Sequence, residues 1–361
     1  VGTTLIFPCS VPEAERYAKA AAQRGEEVVA ASSLRYDVSA GKFRKWFFLP
    51  TVHDPEFPAR LKEAIIEHDI ARVFCPVLVA DTVLKRLAAE GQLSVPVFTH
   101  APIVDHLEEH RQLMEDAAAH RNFIQEVAEG KSTLNLLDVA SAMKHSFAIF
   151  GQSGPDKVAA MMAIFAEAPR GDVVEVGVLA GRTAYILTSM ARHHLTGPVL
   201  LVDAWSTGAA AQHNSASDFQ EMIQKWSHVV PLEAFFESFI LSLLPLSGRE
   251  DFNYLALPSK EAHVIWRRDR CVRTPHFGEV HYTGAISVLH IDANHDLSQV
   301  QEDCGLWLPY LVPGGWLILD DYIWFHGDGP RQVGDRLLAD EWHRIQRAFV
   351  CDKALFVKFG G

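Results

Sequence analysis

The chain has 361 residues, of which 48% are hydrophobic, and it carries a formal net charge of −12. That length and composition suit two well-packed domains. The acidic balance argues against a general nucleic-acid binder or an anionic-membrane binder, because both need a basic face.

Five cysteines, Cys9, Cys75, Cys271, Cys304 and Cys351, are odd in number and show no C-x-x-C spacing. This argues against a disulfide framework or a zinc site and fits a cytoplasmic location. The sequence has no apolar run of about 18 residues and no basic-plus-apolar leader, so neither a membrane span nor export is expected.

Residues 3–9 read as a strand. Pro12–Arg24 reads as a helix, with proline in its first turn and Gly25 as its stop. Glu27–Ala31 is a second strand, and Arg35–Pro55 is less regular. Glu56–His68 is a helix with Phe57, Leu61, Ile65 and Ile66 as its apolar stripe. Ala71–Val79 reads as a strand interrupted by Pro76, Thr82–Ala89 as a helix closed by Gly91, and Val95–Thr99 as a short strand. This alternation predicts a small parallel α/β domain over residues 1–103. It lacks a glycine-rich phosphate loop after its first strand. Its Phe7–Pro8–Cys9–Ser10 turn loosely resembles the Rossmann-like domain that precedes ATP-grasp domains, although no ATP-grasp domain follows. A structural or substrate-shaping role is expected, with nucleotide binding as the rival.

Val104–Gly130 is charged and helical, and Leu134–Phe150 is helical again, so residues 104–150 read as a helical connector. His106 and His110 are spaced for one helix face but lack a third ligand, and they read as a solvated surface. Asp156–Ala168 predicts an amphipathic helix in which Met161 and Met162 fill the core.

The second half of the chain is organised around residues 172–183. Val173, Val174, Val176 and Val178 form the β-branched run of a strand buried on both faces. Gly177 and Gly181 bracket a turn, and Thr183–Leu195 has helix composition. Strand, glycine turn and helix make the first unit of a nucleotide-binding sheet. The spacing is E-x-G-x-x-x-G. A dinucleotide site would need G-x-G-x-x-G, and a P-loop would need a following Lys-Ser/Thr. Glu175 at the strand tip repels phosphate and suits a cation or an amino group. The pattern resembles motif I of class I S-adenosylmethionine (SAM)-dependent methyltransferases, whose cofactor carries a sulfonium, an amino group and no phosphate.

Pro198–Val202 is the next strand. It ends at Asp203, where such a sheet places a carboxylate on ribose hydroxyls, with Trp205 beside it as an adenine contact. Residues 206–246 are longer than one crossover needs. They begin polar at Gly208–Asp218 and become apolar over Leu232–Leu244, which reads as a lid or a dimer element and raises the option of a homo-oligomer. Asn253–Leu257 is a strand leading to Ser259–Lys260–Glu261, the expected base-binding loop.

Ala285–Ile291 is a strand that runs into Asp292–Ala293–Asn294–His295–Asp296. A helix over Ser298–Tyr310 follows, then a turn at Pro313–Gly314–Gly315 and a strand Trp316–Leu319 ending in Asp320–Asp321. These carboxylates share the sheet edge with Glu175 and Asp203, and open α/β sheets bind ligands at that edge. Asp292, Asp320 and Asp321 offer three oxygens and no thiol, a set suited to a hard cation such as Mg²⁺. Unpaired, three such acids would raise one another's pKa; a dication removes that cost. The imidazole of His295 suits a general base near neutrality, with the cation stabilising the alkoxide. Tyr322–Arg331 reads as an acceptor-pocket loop, Gln332–Ala348 as helix and Ala354–Phe359 as the last strand.

The joint pattern, I-D-A-N-H-D, a helix, then V-P-G-G-W-L-I-L-D-D-Y, resembles the metal-dependent O-methyltransferases, in particular those of macrolide sugars and related natural products. The resemblance covers residues 151–361. It implies Mg²⁺ on Asp292, Asp320 and Asp321, and His295 as the base. It also implies that Glu175, Gly177 and Gly181 shape the methionine end of the SAM site, with Thr183 at the helix start, Asp203 on the ribose and Ser259 near the adenine. Catechol-type relatives carry Lys at the base position and Asn as the last ligand. This chain has His and Asp there, which favours the sugar or macrolide branch. The expectation is an α/β, Rossmann-like O-methyltransferase acting on a small-molecule hydroxyl, with no nucleic-acid or membrane partner. The rivals are an NAD(P)-dependent oxidoreductase on a similar sheet and a non-catalytic binding protein with a degenerate cofactor site.

Overall fold

The computed structural model describes residues 2–100, 102–210, 232–325 and 327–360. The chain divides into two units, Val1–Gln112 and Leu113–Gly361.

The first unit is a parallel sheet ordered β3-β2-β1-β4-β5. Its strands are β1 (Thr3–Ile6), β2 (Val28–Ser32), β3 (Trp46–Phe48), β4 (Ile70–Phe74) and β5 (Val97–Phe98). Three helices connect them, α1 (Pro12–Gln23), α2 (Phe57–Glu67) and α3 (Leu78–Ala89). α2 buries Phe57, Leu61 and Ala64, one stripe of the period that the sequence displays. β4 stops before Pro76, which has no N–H to give a ladder, and α3 starts at Leu78.

The division between units falls inside α4 (Pro102–Val127). Residues 113–150, read from the sequence as part of a connector, belong to the second unit. Ala117, Ile124, Val139 and Met143 are buried in the same core as Val173 and Val288. α5 (Leu136–Ala148) opens with a capping box. Asn135 Oδ1 accepts from the N–H groups of Leu137 and Asp138, and Asp138 Oδ2 accepts from the Asn135 N–H. α6 (Pro155–Ile164) is buried from Lys157 onward.

The second sheet is ordered β13-β14-β12-β11-β6-β7-β8. β6 (Asp172–Val176), α7 (Arg182–His194), β7 (Val199–Val202) and β8 (Phe252–Leu255) run outward from the middle. A separate antiparallel hairpin follows, β9 (Cys271–Thr274) with β10 (Gly278–His281). The chain then returns to pair β11 (Ile286–Ile291) with β6 on its other side, and continues to β12 (Leu311–Leu319). β13 (Ile345–Cys351) and β14 (Ala354–Phe359) close the edge, with β14 antiparallel to both neighbours. The winding reverses between β6 and β11, which makes their carboxyl ends the place for a ligand. β6 is buried at every position, as its valine run predicts. Its first residue anchors it: Asp172 accepts from the Thr283 and Gly284 N–H groups and from Trp266 Nε1.

One reading of an element is corrected. The helix expected over Gln332–Ala348 is Gly329–Asp340, and residues from Ile345 form β13, whose burial alternates with period two. The apolar helix, here Leu232–Leu243, buries Phe239, Ile240 and Leu243 in the core of its own unit and leaves Leu241 exposed. Residues 211–231, which carry much of the polar stretch read as a lid or dimer element, lie outside the described residues. Among the described residues no helix is long and apolar enough to cross a membrane.

Candidate functional site

The site begins with the glycine turn. Gly177 has φ +94°, and a Cβ there would lie 1.9 Å from the Asp292 carbonyl oxygen. The tips of β6 and β11 therefore meet backbone to backbone, which only glycine permits. Gly181 has φ +95°, and a Cβ there would strike Leu243 Cδ2 at 2.8 Å. Asp203 ties the turn down: Oδ2 accepts from the Val178 and Leu179 N–H groups at 2.8 and 2.9 Å, and Oδ1 accepts from the Trp205 N–H at 2.7 Å. Thr183 is buried in the first turn of α7. Trp205, expected against an adenine, is buried with Phe239 and Tyr254 and donates from Nε1 to the Leu179 carbonyl. Ser259 starts the helix Ser259–Asp269, and its Oγ accepts from Trp307 Nε1.

Glu175 lies one layer in. It is fully buried, and its Oε1 is 2.9 Å from His290 Nδ1. Its Oε2 has no hydrogen-bond partner among the described residues. A buried carboxylate oxygen without a partner calls for a hydrogen-bond donor.

The acids at the ends of β11 and β12 lie near one another, Asp320 and Asp321 each grouped with Asp292. Asp292 belongs to two groups of donors whose ligand atoms lie within 4.8 Å of one another: His290, Asp292 and Asp320, and Asp292, His295 and Asp321. Consecutive strand residues point to opposite faces, so neighbouring acids need a break in the pleat to serve one site. Asp321 supplies it with φ +49°, an uncommon conformation for a non-glycine residue and one that clusters at functional sites.

Sequence reasoning missed two members of this cluster. Lys157, 1% exposed on α6, donates from Nζ to Asp320 Oδ2 and lies 3.7 Å from Asp292 Oδ2. His290 Nε2 lies 3.8 Å from Asp320 Oδ2 and 4.0 Å from Asp292 Oδ2. The available signals were a lone lysine ahead of the apolar run Val158–Phe165 and a histidine inside the apolar strand Ser287–Ile291. Burial alone would raise the Asp320 carboxyl, but the Lys157 charge outweighs it and holds Asp320 well below the usual carboxylate range. Burial and the charge of Asp320 push Asp292 up against the opposing pull of Lys157. At Asp321 burial is again overcome, here by the bond to His295 and by Lys353, whose Nζ is 3.1 Å from Oδ1.

His295 leaves the β11 end with Nε2 3.0 Å from Asp321 Oδ2 and its ring 4.2 Å from that of Trp324. A cavity of about 150 Å³ opens beside it, lined by His295, Leu297, Trp324, Gly327, Asp328, Gly329 and Gln332. The loop expected to line an acceptor pocket contributes Trp324, Gly327, Asp328 and Gly329 to it. The carboxylate oxygens of Asp292, Asp320 and Asp321 fit a hard dication such as Mg²⁺, with Lys157 already meeting part of the demand for positive charge.

Residues 174–322 match the family described as methyltransferase domain. None of the curated proteins matches the chain. Among solved structures, the chain is similar to the O-methyltransferase NovP at 16% identity, over 58% of this chain and 81% of that one, with a TM-score of 0.41. It is similar to the calicheamicin methyltransferase CalS11 at 10% identity, over 68% and 92%, with a TM-score of 0.37. For the MycE methyltransferase of mycinamycin biosynthesis, solved with Mg, SAH and mycinamycin VI, the values are 13%, 62%, 57% and 0.36. The strand order of the seven-stranded sheet, with its single antiparallel strand β14, is the Rossmann-like class I arrangement expected from the sequence.

Proposed function

We propose that this chain is a SAM-dependent O-methyltransferase that acts on a hydroxyl of a small molecule, with Mg²⁺ or a similar dication at its acid cluster. The observation that carries the reading is the meeting of Asp292, His295 and Asp321 at the end of the sheet, directly against the Gly177 turn. The methyltransferase-domain match spans both parts, and it favours this reading over an NAD(P)-dependent oxidoreductase.

The parts divide the work. The turn from Gly177 to Gly181, pinned by Asp203, offers bare backbone to the methionine end of SAM, and Glu175 Oε2 is an open acceptor behind it. Asp203 and Ser259 hold the ribose and adenine ends. Asp292, Asp320 and Asp321 hold the dication, whose chemistry would be to make an acceptor hydroxyl more acidic. His295, at the cavity and kept in place by Asp321, would take the proton of the acceptor hydroxyl, while bound SAM would supply the methyl group, its S–CH3 bond breaking as O–CH3 forms and SAH leaving. The rest is orientation of two reactants. The acceptor class is a sugar, a polyketide or another natural product, and the free cysteines support a cytoplasmic setting.

Calorimetric titration with SAH and, separately, with NADH tests the cofactor. SAH heat without NADH heat is expected; NADH binding alone would sink the reading. Methyl transfer to a panel of hydroxylated acceptors should stop in EDTA and return with Mg²⁺.

A further inference from the structure

The positive charge inside the acid cluster comes from the protein itself. Lys157 precedes a helical run, Val158–Phe165, in which every side chain is buried, and it is 1% exposed. Its Nζ is bonded to Asp320 and lies 3.7 Å from Asp292. Both residues are oxygen donors that a dication needs. A buried ammonium is tolerated only beside counter-charges, and a dication on the same oxygens brings like charge against it. Lys157 and the dication are therefore rivals for one carboxylate. Asp292, by contrast, also belongs to the group with His295 and Asp321.

Building on the O-methyltransferase reading above, we propose that Lys157 is a resident counter-ion of the acid cluster, which competes with a dication for Asp320 and sets how tightly the cluster binds one. Lys157 is a positioning residue. It keeps Asp320 in place when no metal is bound, and it must give ground when one is. A protein built this way binds its dication weakly and reversibly, where the same three acids without the lysine would bind it tightly.

The test is calorimetric titration of the full chain with Mn²⁺ and with Mg²⁺, for the wild type and for Lys157→Met, with SAH titrated into both. Lys157→Met is expected to bind Mn²⁺ at least about tenfold tighter than the wild type and to bind SAH as the wild type does. Equal or weaker dication binding in the variant, or no dication binding in either protein, overturns the proposal. Lys157→Met removes the partner of a buried carboxylate, so Lys157→Gln, neutral and still able to donate to Asp320, is titrated as the second variant with the same expectation. Lys157→Arg keeps the charge and should stay within about threefold of the wild type. A gain as large as that of Lys157→Met would show that charge is not the cause. Failure of the methyltransferase reading would show separately, as wild type that binds no SAH.

Discussion

Glu175 and His290 are register partners across the β6–β11 pairing, and their side chains meet with His290 Nδ1 2.9 Å from Glu175 Oε1 and neither exposed to solvent. The pair sits directly behind the acid rim, because His290 Nε2 also faces Asp320 and Asp292. Removing one member leaves the other buried without its hydrogen-bond partner, which costs about 1–3 kcal/mol for a buried polar group. His290→Leu is therefore expected to lower unfolding stability by about that amount in urea titration. The double variant His290→Leu, Glu175→Leu should lose less than the sum of the single losses, by at least about 1 kcal/mol. Additive losses would show that the two side chains do not support each other.

His295 carries the chemical step in the proposed mechanism, and its contact with Asp321 orients the ring toward the cavity. His295→Ala should cut methyl transfer roughly 10²–10⁴-fold while leaving SAH affinity unchanged. Asp321→Asn should act on both functions, loosening the ring and weakening dication binding by at least about tenfold. Full turnover in His295→Ala would remove that residue from the reaction.

The sheet edge was legible because each of its parts is local in sequence. A valine run, an acid and two glycines mark the end of β6, and apolar runs ending in Asp292 and Asp320–Asp321 mark the ends of β11 and β12. Lys157 was not legible as a member of the site, because it stands 163 positions before Asp320 and only the packing of α6 under the sheet brings them together. The same limit hid the role of Asp203. Its place at the end of β7 could be read, but not that its oxygens are bonded to the backbone of the turn after β6. Residues 113–150 misled for another reason. Their charged surface masks a few inward positions, Ala117, Ile124 and Met143, which join the core. β13 was missed because its alternation is shallow, with half-buried and exposed residues in turn.

Gly177 tests the geometry without touching any ionisable group. The Cβ of an alanine would lie 1.9 Å from the Asp292 carbonyl oxygen and 2.3 Å from its carbon, both backbone atoms held by the β6–β11 pairing. The φ of +94° adds strain for any L side chain. Gly177→Ala is expected to cost about 3 kcal/mol or more. Relief would require β6 and β11 to part at their tips, so SAH binding and dication binding should fall together. A variant of normal stability that binds both would contradict the close approach of the two strand ends.

Asp303 gives a prediction for pH. It lies on the helix Leu297–Trp307, is 6% exposed, and burial pushes its carboxyl up to about 6 against the pull of a hydrogen bond with Ser259. In the unfolded chain the group titrates near 3.9. A raised folded value means that its favourable contribution is fully present below about pH 4 and is lost as pH rises through about 6. At about 1.36 kcal/mol per unit, a shift of about two units corresponds to roughly 3 kcal/mol at neutral pH. Asp303→Asn removes the charge that must otherwise be buried. The variant should be more stable than the wild type by about 1–3 kcal/mol near pH 8, with the gain vanishing near pH 4. Urea midpoints measured across this range read the difference directly. A gap that stays constant from about pH 4 to about pH 8 would mean that the Asp303 carboxyl titrates alike in the folded and unfolded chain.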